Sequence, residues 1–336
     1  MQAKLGVAVV GVGMLGRRHA ENLRRHVPEA QLLAVCDSSR SRSLEVAADL
    51  EVEQATDRLE EILDRKDIQA VVIATPSKFH AEQIEALARA GKHIFCEKPL
   101  ALSLAQADLA LAAVGAAGVQ LQIGFMRRYD PGYAAAFRRI EAGEIGEPVI
   151  FKSVGRDRQP PPVSFFEGGV NGTLFSDAAI HDFDLARWMM SDEVGAVHAY
   201  AGVLACPELA RFDDVDAALV NLRFARGGIG NIETFRKSSY GYDIRTEILG
   251  TRGAVQVGYL QQTPFQVLTS TGIAHDVVEH WLVRFADAYL AELRDFVRSI
   301  RSDAPVRVNG KDGRQALAVA LAAEQSYRQA GPVALD

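Results

Sequence analysis

The chain has 336 residues, 48% of them apolar and 24% charged, with a formal net charge of −6. That length suggests roughly two domains at about 150 residues each, and the composition is ordinary for a globular protein with a real core. The charge is mild and no long basic block occurs, which argues against a nucleic-acid partner.

The three cysteines, Cys36, Cys96 and Cys206, lack CxxC spacing, so they make neither a disulfide framework nor a zinc site. Cys36 and Cys96 end apolar runs and read as buried strand residues, since a free thiol packs as a small hydrophobe. The opening MQAKLGVAVVGVG has no signal-peptide cleavage site. The longest uncharged run, Leu109 to Met126, contains Gly115, Gly118, Gln120, Gln122 and Gly124 and reads as helix end, turn and strand, not as a membrane span. The expectation is a cytoplasmic protein that meets neither membrane nor nucleic acid.

In chain order, Leu5–Val10 reads as a buried strand, Gly11–Gly16 as a turn and Leu15 to Val27 as a helix. Gln31–Cys36 and Ala70–Ala74 are further strands. Pro76 suits a helix start, and that helix stops at Gly91, a plausible glycine just past a helix end. His93–Cys96 is the next strand. Ser103, with Gln106 three residues on, fits a capping box, and Val119–Ile123 closes the alternation. Strands alternating with helices imply βαβ units and a parallel sheet. The expected first domain is therefore a Rossmann-type doubly wound α/β unit over residues 1–125.

From Pro148 the apolar runs lie closer together: Val149–Val154, Val194–Leu204, Val215–Phe224, Ile229–Phe235, Ile244–Leu249 and Ala254–Val257. They predict a large mixed or antiparallel sheet in an α+β domain over residues 126–336. One helix, Ser176–Met190, interrupts it, and helices at His280–Arg301 and Gly310–Gln329 close the chain and are candidates to pack back on the first domain. Phe285, Tyr289, Leu293, Phe296 and Ile300 recur at helical spacing and read as core.

Gly11-Val12-Gly13-Met14-Leu15-Gly16 is a GxGxxG that follows a strand and opens a helix, with Asp37 ending the next strand. That context is the dinucleotide-binding fingerprint. Gly11 permits the tight turn, Gly13 lets backbone approach a pyrophosphate, and Gly16 lets helix pack on sheet. The diphosphate would meet N–H groups at a helix N-terminus, around Met14 and Leu15. Asp37 can accept from ribose hydroxyls and would repel a 2′-phosphate, which favours NAD over NADP. Ser38, Ser39 and Arg40 follow, and an arginine there could accommodate that phosphate.

Two clusters carry candidate chemistry. Glu97-Lys98-Pro99 directly follows the strand His93–Cys96, and ligands of open parallel sheets bind beyond such carboxyl ends. The second is Asp177 with His181, four residues apart and so on one face of a helix, with Asp184 on a neighbouring row. A carboxylate beside an imidazole suits a general base near neutral pH. The HDFD segment offers one imidazole only, so no metal is expected.

Six motifs occur in order: GVGMLG with His19 beyond it, CD at 36–37, ATPSKFH from residue 74, EKPLALS at 97–103, GFMRRYDP at 124–131 and GTLFSDAAIHDFDLARW at 172–188. Together they resemble the glucose–fructose oxidoreductase / inositol dehydrogenase family, and within it the myo-inositol 2-dehydrogenase branch. The resemblance implies that Lys98 contacts nicotinamide and the substrate hydroxyl, and that its bond to Pro99 is often cis. It implies that His181 takes the hydroxyl proton with Asp177 beside it. Arg127, Asp157 and Tyr240 or Tyr242 would lie against a polyol, while Thr75, Pro76, His80, Glu97, Lys98 and Arg127 complete the candidate cofactor contacts. It also implies oligomers, dimers or tetramers, built on an open sheet face. The PPP run at 160–162 departs from the inositol enzymes and leaves the particular polyol open. The expected function is oxidation of a secondary hydroxyl of a cyclic polyol. An aldose or hexose dehydrogenase, a keto-sugar reductase, or a non-catalytic NAD- and sugar-sensing regulator are the alternatives.

Overall fold

The computed structural model describes residues 3–335. Its first elements are β1 (Leu5–Val10), α1 (Met14–His26), β2 (Ala30–Cys36), α2 (Arg40–Leu50), β3 (Gln54–Thr56), α3 (Glu60–Leu63), β4 (Ala70–Ile73), α4 (His80–Arg89), β5 (His93–Glu97), α5 (Leu104–Ala117) and β6 (Leu121–Gly124). Then come α6 (Pro131–Glu141), β7 (Pro148–Arg156), α7 (Ile180–Met190), β8 (Val194–Gly202), β9 (Ala217–Phe224), β10 (Ile229–Phe235), β11 (Asp243–Gly250) and β12 (Ala254–Gly258). A small hairpin, β13 (Val267–Thr269) and β14 (Gly272–Ala274), precedes α8 (Trp281–Arg284), α9 (Ala286–Arg301), α10 (Gly310–Gln329) and β15 (Val333–Ala334).

The chain divides into two compact units. The first runs to Met126 and also takes in Asp287–Leu317. Its six strands are parallel in the order β3-β2-β1-β4-β5-β6, the order of a dinucleotide-binding Rossmann sheet. The strands are buried on both faces, which is why they read as unbroken apolar runs. Its core joins Val7, Val9, Leu23, Val35, Val72 and Phe95 to Leu293, Phe296 and Val297 of α9. So the stripe read on the last helices is core at Tyr289, Leu293 and Phe296, and Ile300 packs half-buried against it. Ser103 caps α5 by accepting from Gln106 N, but the Gln106 side chain meets the Ser103 hydroxyl and not its backbone N–H, so the capping box is only half formed.

The second unit comprises Arg127–Ala286 and the chain from Ala318. Its sheet has seven strands in the order β12-β11-β7-β10-β9-β8-β15. Only β7 with β10 is parallel; the other pairs are antiparallel. β9 alternates strictly between buried and exposed residues, as a strand does when one face packs and the other faces solvent. Two expected helices differ in detail. The helix expected over His280–Arg301 breaks at Phe285, which is fully buried. The helix expected from Ser176 opens instead as a π-helical turn, Leu174–Ala179, and becomes α-helical only at Ile180.

Candidate active site

Gly11 has φ +83°, and a Cβ there would lie 2.7 Å from backbone atoms of Ala74 and Thr75. A Cβ on Gly16 would lie 1.7 Å from Gly11 O. These two glycines are demanded by the fold itself. Gly13 is not: it has negative φ, and a Cβ there would meet nothing within 4 Å. Its neighbour Met14 is 65% exposed, an apolar side chain left in the open at the turn. α1 begins at that turn with no side-chain cap and no acidic residue in its first turn, so its first N–H groups suit a bound anion.

Asp37 is buried at the end of β2. Its Oδ2 accepts from Val12 N at 2.9 Å and its Oδ1 from Ser39 N at 2.9 Å. The turn and the acid are thus fixed to each other. Arg42 Nη1 adds bonds of 3.1 and 3.3 Å to the same carboxylate. The sequence had pointed to Arg40, which is exposed and lies 3.7 Å from Asp57, so Arg42 is the residue it missed. A helix places residue 42 three positions after Ser39, the α2 cap, and that spacing was the available signal. Ser38 is exposed beside them.

Lys98 directly follows β5 and is half-buried, and its bond to Pro99 is cis. His80 is buried at the head of α4, with Nδ1 2.7 Å from Pro99 O and Nε2 2.8 Å from Thr75 O. It ties the loop after β4 to the loop after β5. Burial pushes its pKa below the usual imidazole value, against those two carbonyls. Pro76 is exposed, and Thr75 Oγ1 donates to Gln83 Oε1 at 2.7 Å. Glu97, expected among the cofactor contacts, instead has its carboxyl in the interior, 2.7 Å from His19 Nε2.

In the second unit, Asp177 sits in the π turn. Leu174 N, at the start of that turn, donates to Asp214 Oδ1 at 2.9 Å, and Ser176 and Thr173 complete a capping box. Arg236, fully buried at the end of β10, reaches Asp177 Oδ2 at 3.2 Å and Asp214 Oδ2 at 3.7 Å. Burial pushes the Asp214 carboxyl above its usual range, against Arg236 and two backbone donors. The turn that carries Asp177 is π-helical and α7 begins only at Ile180, so the four residues from Asp177 to His181 cross a change of helix type. His181 is buried in the first turn of α7. Arg236 was missed: a lone arginine after an alternating strand gives no signal until tertiary structure brings it to the turn.

Arg127 and Arg128 are each held by an aspartate of α7. Arg127 Nη1 bonds Asp182 Oδ1 at 2.7 Å, and Arg128 bonds Asp184 at 2.8 and 2.6 Å. Burial opposes the charge on Arg127, yet Asp182 alongside raises its pKa above the ordinary value. Breaking such a buried pair from one side costs about 3–5 kcal/mol. Arg127, expected to face ligand, thus makes a buried structural pair. Asp157 directly follows β7, its N–H bonding Phe235 O at 2.8 Å. Tyr240 is exposed, with its hydroxyl on Arg156 and, at 2.6 Å, on Asp243 Oδ2. Tyr242 is buried and feels Arg127, Asp157 and Asp182; burial raises its pKa. Of the two tyrosines, Tyr242 is the one that shares surroundings with the other candidates. All three cysteines are buried and unpaired, and burial pushes Cys36 up to about 12, so they are poor nucleophiles.

A Rossmann sheet, a glycine turn with one glycine open on its Cβ side, and a buried acid locked to that turn define a dinucleotide-binding protein. The chain belongs to the glucose–fructose oxidoreductase / inositol dehydrogenase family: residues 5–125 match its NAD-binding Rossmann fold and residues 138–335 its C-terminal alpha/beta domain. It is an NAD-dependent oxidoreductase. Over its full length it is 39% identical to the scyllo-inositol 2-dehydrogenase (NAD(+)) of Bacillus subtilis, covering 98% of that protein. It is 36% identical to the myo-inositol 2-dehydrogenase of Thermotoga maritima, over 98% of each chain. The crystal structure of scyllo-inositol dehydrogenase from Lactobacillus casei with bound NAD(H) and scyllo-inositol superposes with a TM-score of 0.93 at 29% identity, over 98% of this chain and 99% of that one. Among the described residues no helix is long and apolar enough to cross a membrane.

Proposed function

We propose that this enzyme oxidises a secondary hydroxyl of a cyclic polyol, an inositol, and that it prefers NAD to NADP. The observation that carries the chemistry is Lys98, placed directly after the carboxyl end of β5 in a sheet of Rossmann order, where such sheets bind their ligands. The full-length likeness to inositol 2-dehydrogenases supports the choice of substrate.

The glycine turn at Gly11, Gly13 and Gly16, with Met14 and Leu15, holds the pyrophosphate; Asp37 takes the ribose hydroxyls, with Ser38 and Arg40 at its edge. Thr75 and Pro76 border the nicotinamide end. When bound, NAD accepts the hydride from the carbinol carbon. Lys98 donates a hydrogen bond to the reacting oxygen and stabilises the charge that builds there. His181 removes the hydroxyl proton, and Asp177, neutralised by Arg236, orients the substrate beside it. Asp157 and Tyr242 belong to the surroundings of the polyol, with Arg127, paired to Asp182, supporting them and Tyr240 at the exposed edge. The main domain boundary lies near residues 125 and 126, with residues 287–317 belonging to the first domain. The protein works in the cytoplasm as a homo-oligomer, a dimer or tetramer.

The test is a turnover screen of inositol isomers and aldoses with NAD and NADP, run on wild type, Lys98→Met and Asp37→Ser. An inositol with NAD should lead. Lys98→Met should lose about 10²–10³ in kcat, the usual worth of one aimed donor, while NAD binding persists, and Asp37→Ser should raise NADP use. A leading aldose would displace the inositol reading. Binding without turnover on any polyol would make the protein a sensor.

A further inference from the structure

The first unit buries three ionisable side chains from three different elements. His19 of α1, Glu97 of β5 and Glu292 of α9 are 0, 5 and 0% exposed, and one N or O atom of each lies within 4.8 Å of the others. His19 Nε2 is 2.7 Å from Glu97 Oε1. Aromatic rings line it: the His19 ring meets Phe95 and Tyr289 edge-on, with centroids 5.4 and 5.9 Å away. A Cβ on Gly124 would lie 2.9–3.1 Å from the Glu97 carboxyl, so β6 presses directly against that group. Neither Glu292 oxygen has a hydrogen-bond partner. Burial, then the charge of Glu97, pushes the Glu292 carboxyl well above the usual range.

An apolar residue at 292 would fill this part of the core without the desolvation cost of a carboxyl. Two buried carboxyls this close disfavour a second charge, and Glu292, whose carboxyl burial and Glu97 push up, is the one kept neutral. A neutral Glu292 carries one O–H that makes no hydrogen bond in this structure, and His19 and Glu97 each bring an atom within 4.8 Å of its carboxyl. Glu97 is the last residue of β5, and Lys98 is the next.

We propose that Glu292 is a positioning residue: with His19 it restrains the Glu97 carboxyl, and so fixes where the Lys98 amine is held. The functional half of this rests on the role given to Lys98 under Proposed function; the cluster itself does not. The His19–Glu97 separation is that of a hydrogen bond, which favours a proton over a metal ion at the same place.

The test compares wild type with Glu292→Gln, which keeps a donor, and Glu292→Leu, which keeps only bulk. Infrared spectroscopy of the wild type at neutral pH should show a protonated-carboxyl stretch that Glu292→Gln removes. Glu292→Gln should keep kcat within about twofold. Glu292→Leu should lose about tenfold or more in kcat, with KM for NAD and melting temperature unchanged or improved, a split that loss of packing would not give. The proposal falls if the stretch is absent, if Glu292→Leu turns over normally, or if Glu292→Gln fails as badly as Glu292→Leu. It also falls if a metal ion co-purifies one to one and chelation abolishes the cluster's effect. Should Lys98→Met prove fully active while the infrared band is present, the role of Lys98 is what fails and the buried cluster stands.

Discussion

Gly13 and Gly16 sit three residues apart in one turn, yet they are glycine for opposite reasons. At Gly16 the protein's own backbone occupies the place of a Cβ; at Gly13 that place is empty. Gly16→Ala should therefore cost the first unit its fold, seen as a lower melting temperature or as insoluble protein. Gly13→Ala should leave melting unchanged and raise KM for NAD by about tenfold, the equivalent of roughly 1.4 kcal/mol of lost approach. Equal damage to stability from both would refute the assignment of Gly13 to the ligand. His80 makes a second prediction at this scale. Its folded pKa is depressed by burial, so the unfolded chain binds the proton more readily, and stability is present above the unfolded value of about 6.5 and lost as pH falls below it. Chemical denaturation from pH 7.5 to 5.5 should show that decline, and His80→Gln should flatten it. Which glycines, which acid and which lysine to consider was legible in the sequence, because each sits at a fixed offset from a strand end. That Arg42 rather than Arg40 holds Asp37, and that Arg236 holds Asp177, was not, because those pairs depend on side-chain reach and chain return.

At the scale of elements, the strands of the first sheet and helix α10 follow the sequence reading closely, since apolar runs bounded by glycine and proline mark them. The short β3 and α3 carry too few residues for any period to show. The π turn at Leu174–Ala179 could not be read either. Its capping carboxylate, Asp214, and its counter-charge, Arg236, arrive from 40 and 59 residues away. α9 shows what burial does for an element whose helical stripe was legible: Phe296 is fully buried and packs on Phe95 with centroids 5.9 Å apart. Phe296→Ala should cost about 3–5 kcal/mol, as large-to-small changes in tight cores do, measurable as a shift in denaturation midpoint. A cost below about 1 kcal/mol would mean that α9 is peripheral to the first core.

At the scale of the whole molecule, the second sheet leaves Tyr200, Leu219 and Ile229 exposed on β8, β9 and β10. Exposed apolar side chains grouped on one sheet suit a partner surface, and the commonest partner is a second copy of the same chain. Light scattering should give a dimer or tetramer, and the double change Leu219→Glu with Ile229→Glu should shift it toward monomer without unfolding it; a monomeric wild type would end that reading. The sequence by itself determined the Rossmann unit, the cofactor turn, the mixed second sheet and the residues worth suspecting, because these depend on local period and on short fixed spacings. Only the tertiary structure decided which ionisable groups meet: Arg127 with Asp182 and Arg236 with Asp177 as opposite charges, and Glu292 beside Glu97 as two acids. Such pairs join residues tens to nearly two hundred positions apart, and the energy of a buried charge is set by its distance in space, which chain order does not encode.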